Sequence, residues 1–263
     1  MIHYVSLSGG AGSTVALDRT VKKFGIRNVV AVFADTNSEH SSLYASLTYL
    51  KTVHMPDLEF VWLDNGGRNI WDVFDQFAYI KKGGTGCKAS LELKKKPLDT
   101  YMLTRFGVGG CVKVSGLDHT EQDRIERFDR VHKAMGFDTW HPLNEPPYLS
   151  PCQQVEQIIE WGYPAQKMYE NGYPHNNCGG GCVLAGISQW VGLYHDFPDT
   201  FAYHMEREAA FFKKTGYCIL RNRRGGDTKP LLLSELVERI KNDDLAGLQE
   251  FRSTCGCMTP ADE

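Results

Sequence analysis

Two groups of residues in this sequence have types and spacings that can do chemistry. The first is "SLSGGAGSTVAL" at 6–17, a run of small residues between an apolar segment and an amphipathic one, containing Ser8, Gly9, Gly10, Gly12 and Ser13. Such a run is either a tight strand-to-helix turn or a cradle of backbone N–H groups that holds phosphate where a helix N-terminus adds its dipole. Ser8 and Ser13 beside the glycines point to the cradle. The second group is thiols. Cys178 and Cys182 in "HNNCGGGC" and Cys255 and Cys257 in "TCGC" form two close pairs. Four thiolates are what a tetrahedral zinc ion or a four-iron four-sulfur cluster requires, although these spacings match neither a zinc ribbon nor a ferredoxin run.

Three readings of the thiols stand open. All four, with His175 as a spare ligand, hold a metal or cluster; or the tail carries Cys255 or Cys257 to a substrate as a redox nucleophile; or the thiols are unrelated. Three consecutive glycines carry a large ordering entropy, which a ligand or a fixed geometry would offset. Cys87, Cys111, Cys152 and Cys218 stand alone and read as small buried apolar residues.

These groups need elements to position them. Short β-branched runs at 2–7, 28–34, 59–63 and 111–116, with a fifth at 137–143, alternate with helical periodicity at 13–24, at 38–54 and from about residue 120. This rhythm predicts an α/β fold: an open parallel five-stranded sheet with helices on both faces. After the proline-rich "EPPYLSP" the pattern turns helical, with segments at 152–161, 164–171, 183–194, 198–214 and 233–241. The expected division is a nucleotide-binding domain over 1–145 and a mainly helical C-terminal region over 146–263 that carries the cysteine site. The 263 residues hold 29 basic and 32 acidic side chains, a net charge of −3, which argues against a protein that coats polyanions. No apolar stretch approaches bilayer length, and the first residues enter a strand rather than a signal peptide. A soluble, cytoplasmic protein with no membrane partner is expected.

Ligands of open parallel sheets bind outside the carboxyl ends of the strands. Here those ends read "SGGAGS", "ADTNSEH" and "GLDHTEQDRIER". The first lacks the lysine of a Walker loop and the glycine spacing of a dinucleotide fingerprint. Asp35 ends the second strand and is either a helix cap or a site residue. Thr120 is placed to cap the helix that follows the fourth strand. Arg124 and Arg127, three apart on that helix, either reach one anion together or form a solvated face. Lys94, Lys95 and Lys96 read as a solvated run, and Arg221, Arg223 and Arg224 as either a phosphate grip or a polar turn. Trp71, Trp140, Trp161 and Trp190 read as core.

The same segments resemble the PP-loop ATP pyrophosphatases and the phosphoadenosine phosphosulfate reductase family. Ser8, Gly9, Gly10 and Ser13 match S-G-G-x-D-S, departing at Gly12, where that family carries Asp; Asp35, Thr36 and Glu39 match F-x-D-T-G-x-E, with Asn37 for the glycine. "CKASLELKKKP" is similar to C-x-x-x-L-K-x-x-P, with Cys87 two residues further from Lys94 and Pro97, and Gly116, Glu121 and Arg124 match G-x-x-x-x-E-x-x-R. The likeness covers about the first 145 residues.

The resemblance implies that Ser8, Gly9, Gly10, Gly12, Ser13, Gly116, Arg124 and Arg127 bind ATP or an adenosine phosphosulfate. It further implies that Asp35 sits beside adenosine or Mg2+, with Asp35, Glu121 and Arg124 catalytic, and that cleavage falls between the α and β phosphates. Mg2+ is the implied phosphate partner. The implied reaction is adenylyl transfer with pyrophosphate release to an acceptor such as a nucleobase or nucleic acid. Sulfur would then arrive from a thiol or sulfur-donor protein through a centre at Cys178, Cys182, Cys255 and Cys257, a four-iron four-sulfur cluster or Zn2+. The tail lacks the E-C-G-x-H of the reductases proper. Thiol-dependent reduction of an adenylyl sulfate is the alternative, and a non-catalytic nucleotide or nucleic-acid binding module is the third.

Overall fold

The all-apolar run "VVAVFA" is buried at every position, as a strand covered on both faces must be. The computed structural model describes residues 1–82, 86–222, 228–246 and 248. Its strands in chain order are β1 (Ile2–Leu7), β2 (Val29–Ala34), β3 (Glu59–Leu63), the two-residue β4 (Lys81–Lys82) and β5 (Gly86–Cys87), β6 (Cys111–Val114), β7 (Asp138–Trp140), β8 (Leu220–Asn222) and β9 (Lys229–Leu231). Five form one parallel sheet in the order β3-β2-β1-β6-β7, while β4 with β5 and β8 with β9 form antiparallel pairs. The chain winds outward from β1 through β2 to β3, then returns beside β1 at β6 and winds the other way. The switch of strand order therefore lies between β1 and β6, and a ligand crevice is expected at their carboxyl ends.

The helices are α1 (Ala11–Phe24), α2 (Ser41–Tyr49), α3 (Ile70–Phe77), α4 (Lys96–Phe106), α5 (Gln122–Ala134), α6 (Pro151–Glu160), α7 (Lys167–Glu170), α8 (Ile187–Asp196), α9 (Pro198–Thr215) and α10 (Leu233–Lys241). Strand alternation sorts the sheet's side chains to two faces. Val5, Leu7, Ala31 and Phe33 join α1 and α2 through Val15 and Leu47, while Tyr4, Val30 and Val32 meet Met102 of α4 on the other face. The expected open, parallel, five-stranded sheet with helices on both faces holds.

The apolar clusters do not divide at residue 145. Ile158 of α6 and Tyr163 pack into the cluster on the α1 face. In the other direction, Ile70, Trp71 and Phe74 of α3 pack with Trp190, Phe201, Phe211 and Leu236 of the C-terminal helices. Among the described residues no helix is long and apolar enough to cross a membrane.

His204 of α9 sits in that second cluster, 3% exposed, and its Nδ1 accepts from Trp71 Nε1 at 3.0 Å. Burial pushes its pKa from 6.5 down to about 4. The folded protein holds it neutral while the unfolded chain takes up a proton, so its contribution is complete above pH 6.5 and is lost as pH falls toward 4. Between pH 7 and pH 5 this removes about 2 kcal/mol. Urea unfolding at the two pH values should show it. His204→Gln, which keeps an acceptor for Trp71, should flatten the difference by that amount; an unchanged difference would locate the acid sensitivity elsewhere.

Candidate functional site

The chain leaves β1 at Leu7 and enters α1 at Ala11, so "SGG" makes the whole connection. Its serines fold the loop on itself. Ser13 Oγ donates to the Gly10 carbonyl at 3.0 Å, lies 3.0 Å from Ser8 Oγ, and accepts the Ser8 amide at 3.1 Å. The cap of α1 is Gly10, which makes no side-chain cap, and the first turn carries no acidic residue. The positive end of the helix dipole therefore has no protein anion in its own first turn. Two side chains reach in from α7 and its flank: Tyr169 OH accepts the Ala11 amide at 3.2 Å, and Gln166 Nε2 donates to the Gly9 carbonyl at 2.9 Å.

Beside this loop lies a cavity of about 410 Å3, bordered by Ala11 and Gly12 of α1, by Gly116, Asp118 and Glu121 after β6, and by Gln154 of α6. It occupies the switch of strand order. Gly116 is required by close approach, since a Cβ there would stand 2.9 Å from Ser13 Cα. Gly12 has a different constraint. A Cβ at this position would stand 2.9 Å from Gln154 Oε1 and 3.4 Å from the Gly116 carbonyl. The space next to position 12 is thus filled by Gln154, a buried side chain that donates to the Leu149 carbonyl at 3.1 Å and to Asp118 Oδ2 at 3.5 Å. A carboxylate borders the cavity from the β6 side.

That carboxylate is Asp118, a residue the motif comparison passed over. It is 6% exposed, and its Oδ1 accepts both the amide and the hydroxyl of Thr120, at 2.8 and 2.6 Å. Thr120 therefore braces Asp118 instead of capping α5, whose cap position is Glu121. Glu121 pairs with Arg124, and its Oε2 accepts the Asp118 amide at 3.3 Å. Arg124, paired with the lining residue Glu121, has its pKa lowered by burial against the opposing pull of Asp118. Arg127 instead lines a different, larger cavity, so the two arginines expected to share one anion are placed at two sites. His119 Nδ1 and His175 Nδ1, next in sequence to lining residues of the first cavity, are buried polar atoms with no hydrogen-bond partner among the described residues.

Asp35 stands at the end of β2, and its carboxylate is held by the protein. Oδ1 accepts from the Asn37 amide and Tyr44 OH, both at 2.8 Å, and Oδ2 from Trp62 Nε1 at 3.2 Å. Glu39, four residues on, links the strand end to the cysteines. Its Oε1 accepts from Lys94 Nζ at 2.8 Å and Thr36 Oγ1 at 3.1 Å, while its Oε2 accepts from the Cys178 amide at 2.6 Å. Lys94 is thus part of a buried ion pair rather than a solvated run, and it also reaches Asn177 Oδ1 at 3.3 Å.

The glycine knot turns tightly, with Cys178, Gly179 and Gly180 all at positive φ of 55°, 54° and 86°. Cys178 and Cys182 are free and half-buried. Burial pushes the Cys178 thiol well up, with Glu39 adding to it against Lys94, and burial raises Cys182 as well. Cys87, read from the sequence as an isolated thiol, is near enough to Cys178 for its charge to be felt there. Cys255 and Cys257 lie outside the described residues. The donor set that can be inspected has thiols of the right kind for zinc or an iron-sulfur cluster, but among the described residues no three ligand-type side chains converge on one point. No protein-family model matches the chain, and no curated protein matches it.

Proposed function

We propose that this chain is an ATP-using enzyme that activates an acceptor by adenylyl transfer with release of pyrophosphate, and that sulfur is directed to the acceptor through the cysteine centre. One observation carries the reading: the cavity at the switch of strand order sets the first turn of α1, which holds no acidic residue, opposite a braced carboxylate. In this reading the N-terminal amides of α1 face the β and γ phosphates, whose negative charge grows as the α–β bridge opens. The acceptor oxygen attacks the α phosphorus, the bond to the bridging oxygen breaks, and that oxygen leaves on pyrophosphate. Arg124, paired with Glu121, faces the same charge. Asp118 and Glu121 are the carboxylates that would hold Mg2+, whose preference is for one or two carboxylates together with phosphate oxygens. When bound, the ion neutralises phosphate charge.

Asp35 takes a positioning part, since its oxygens hold Asn37, Tyr44 and Trp62 around the β2 end. Reduction of an adenylyl sulfate requires a thiolate nucleophile. That alternative places its nucleophile at Cys255 or Cys257, which lie outside the described residues. Titration calorimetry of the full chain with MgATP is expected to give one binding event per chain, followed by pyrophosphate and AMP once an acceptor is supplied. Absence of heat with both ATP and adenosine phosphosulfate would remove the proposal.

A further inference from the structure

The larger cavity, about 1070 Å3, lies between residues 79–81 with Gly86 and Lys95, α5, the loop 184–187, the β8 strand and α10. Four of its lining cations, Lys95, Arg127, Arg221 and Arg239, come from four separate elements, and among the described residues none of them is ion-paired. A fifth, Lys81, spends its ammonium on the Val183 carbonyl, and Asp244 is the lining carboxylate. Unpaired cations facing one hollow repel each other, so an arrangement of this kind is stabilised by an anion. The frame that carries them is fixed from beneath. Glu208, 1% exposed, accepts the Ile219 amide at 2.8 Å and the Leu233 amide at 2.6 Å, tying the start of β8 and the start of α10 to one carboxylate.

The rest of the lining is apolar and aromatic, and much of it is uncovered: Tyr217 is 54% exposed and Leu184 51%, with Tyr79 nearby. We propose that this cavity binds a single-stranded nucleic-acid segment, with phosphates on the four cations and bases on Tyr79, Tyr217 and the leucine wall. Spacing over four elements suits a chain of repeating phosphates better than one compact anion. The volume is more than twice that of the first cavity, so it exceeds the space of a single nucleotide. Strands of this kind are held by tracking cations together with sequence-tolerant stacking on aromatic rings.

Arg127 of this cavity is one turn along α5 from Arg124, whose partner Glu121 borders the first cavity, and the glycine-cysteine loop runs from Pro174 at the first to Leu184 at the second. Calling the strand the acceptor rests on the function proposed above; its binding does not.

The test is fluorescence anisotropy of the full chain with labelled twelve-residue oligothymidylate and oligouridylate across a salt series. Four phosphate contacts predict that log affinity falls against log salt with a slope of about −3. The double variant Arg221→Ala with Arg239→Ala is expected to halve that slope, and Tyr217→Ala to weaken binding roughly tenfold without changing it. Lys95→Ala, at an exposed position, gives a second charge variant, and Lys51→Ala, away from the cavity, should bind like the parent. Several results would overturn the proposal: no binding to either oligonucleotide at 50 mM salt, variants that bind like the parent, or displacement by polyglutamate as effective as by unlabelled strand. Calorimetry with MgATP on the same preparations separates the two readings. Strand binding without ATP binding overturns the acceptor role, and ATP binding without strand binding overturns the cavity assignment alone.

Discussion

Asp118→Asn is expected to lower pyrophosphate release at saturating MgATP by roughly 100-fold, the scale seen when one preorganised electrostatic group is taken from an active site. The substitution is isosteric, and the amide oxygen can still accept from the Thr120 amide and hydroxyl that brace this side chain. The fold should therefore survive, which urea unfolding can check. What is lost is negative charge at a buried position whose second oxygen meets only the Gln154 amide, at 3.5 Å. Gln154 also fills the space that a side chain at position 12 would need. Glu121→Gln should cost less, because the pairing with Arg124 already offsets the charge of Glu121. ATP affinity, measured by calorimetry, should move far less than the rate in Asp118→Asn. A variant that releases pyrophosphate at the parent rate would show that Asp118 is a brace for the loop and nothing more.

Asp118 also marks how far the sequence can be read. The five strands of the sheet were visible because each is a short β-branched run with turn residues at its ends, and 59–63 coincides with the observed β3. The loop at 8–13 was visible because the N–H cradle is local. Two helices were not read. In α3 the signal was present as the Asn69–Asp72 capping box, but eight residues give too few turns for periodicity to stand out. In α4 a π-helical start over Ser90–Lys95 breaks the spacing.

The site was harder for a different reason: its missing members are brought in from far along the chain. Gln154 is 142 residues from Gly12, and Tyr169 is 158 residues from the Ala11 amide it accepts. No local pattern encodes such a pairing, which depends on α6 packing against α1 and α7 lying over the loop. Lys94 illustrates the converse. Three consecutive lysines look solvated in sequence, yet one of them turns inward because the β2 end supplies a buried carboxylate 55 residues earlier.

That ion pair leads to the largest expected change in stability, from Glu39→Gln. The Glu39 side chain is fully buried, and it accepts from Lys94, from Thr36 and from the Cys178 amide. Burial opposes the charge on Lys94, but the neighbouring carboxylate outweighs it and leaves the pKa of Lys94 raised above 10.5. The glutamine keeps the shape and removes the charge, so a lysine ammonium is left without its counter-ion. Removing one partner of a fully buried pair costs about 3–5 kcal/mol, and with the Lys94 side chain 21% exposed the loss is expected at the lower end, about 3 kcal/mol. The contribution from the raised Lys94 is present below pH 10.5 and is lost as pH rises through the raised value, so unfolding at neutral pH reports it in full. A second change should accompany it. With a weaker acceptor for its amide, the turn at Cys178–Gly180 loosens, and Cys178 should react faster with a maleimide than in the parent protein. Adding Lys94→Met to Glu39→Gln removes the stranded charge, and the double variant should regain most of the lost stability, because an apolar replacement of a buried pair is close to neutral. If Glu39→Gln costs less than 1 kcal/mol and leaves the rate of Cys178 alkylation unchanged, the link from the end of β2 to the cysteine loop is not what holds that loop in place.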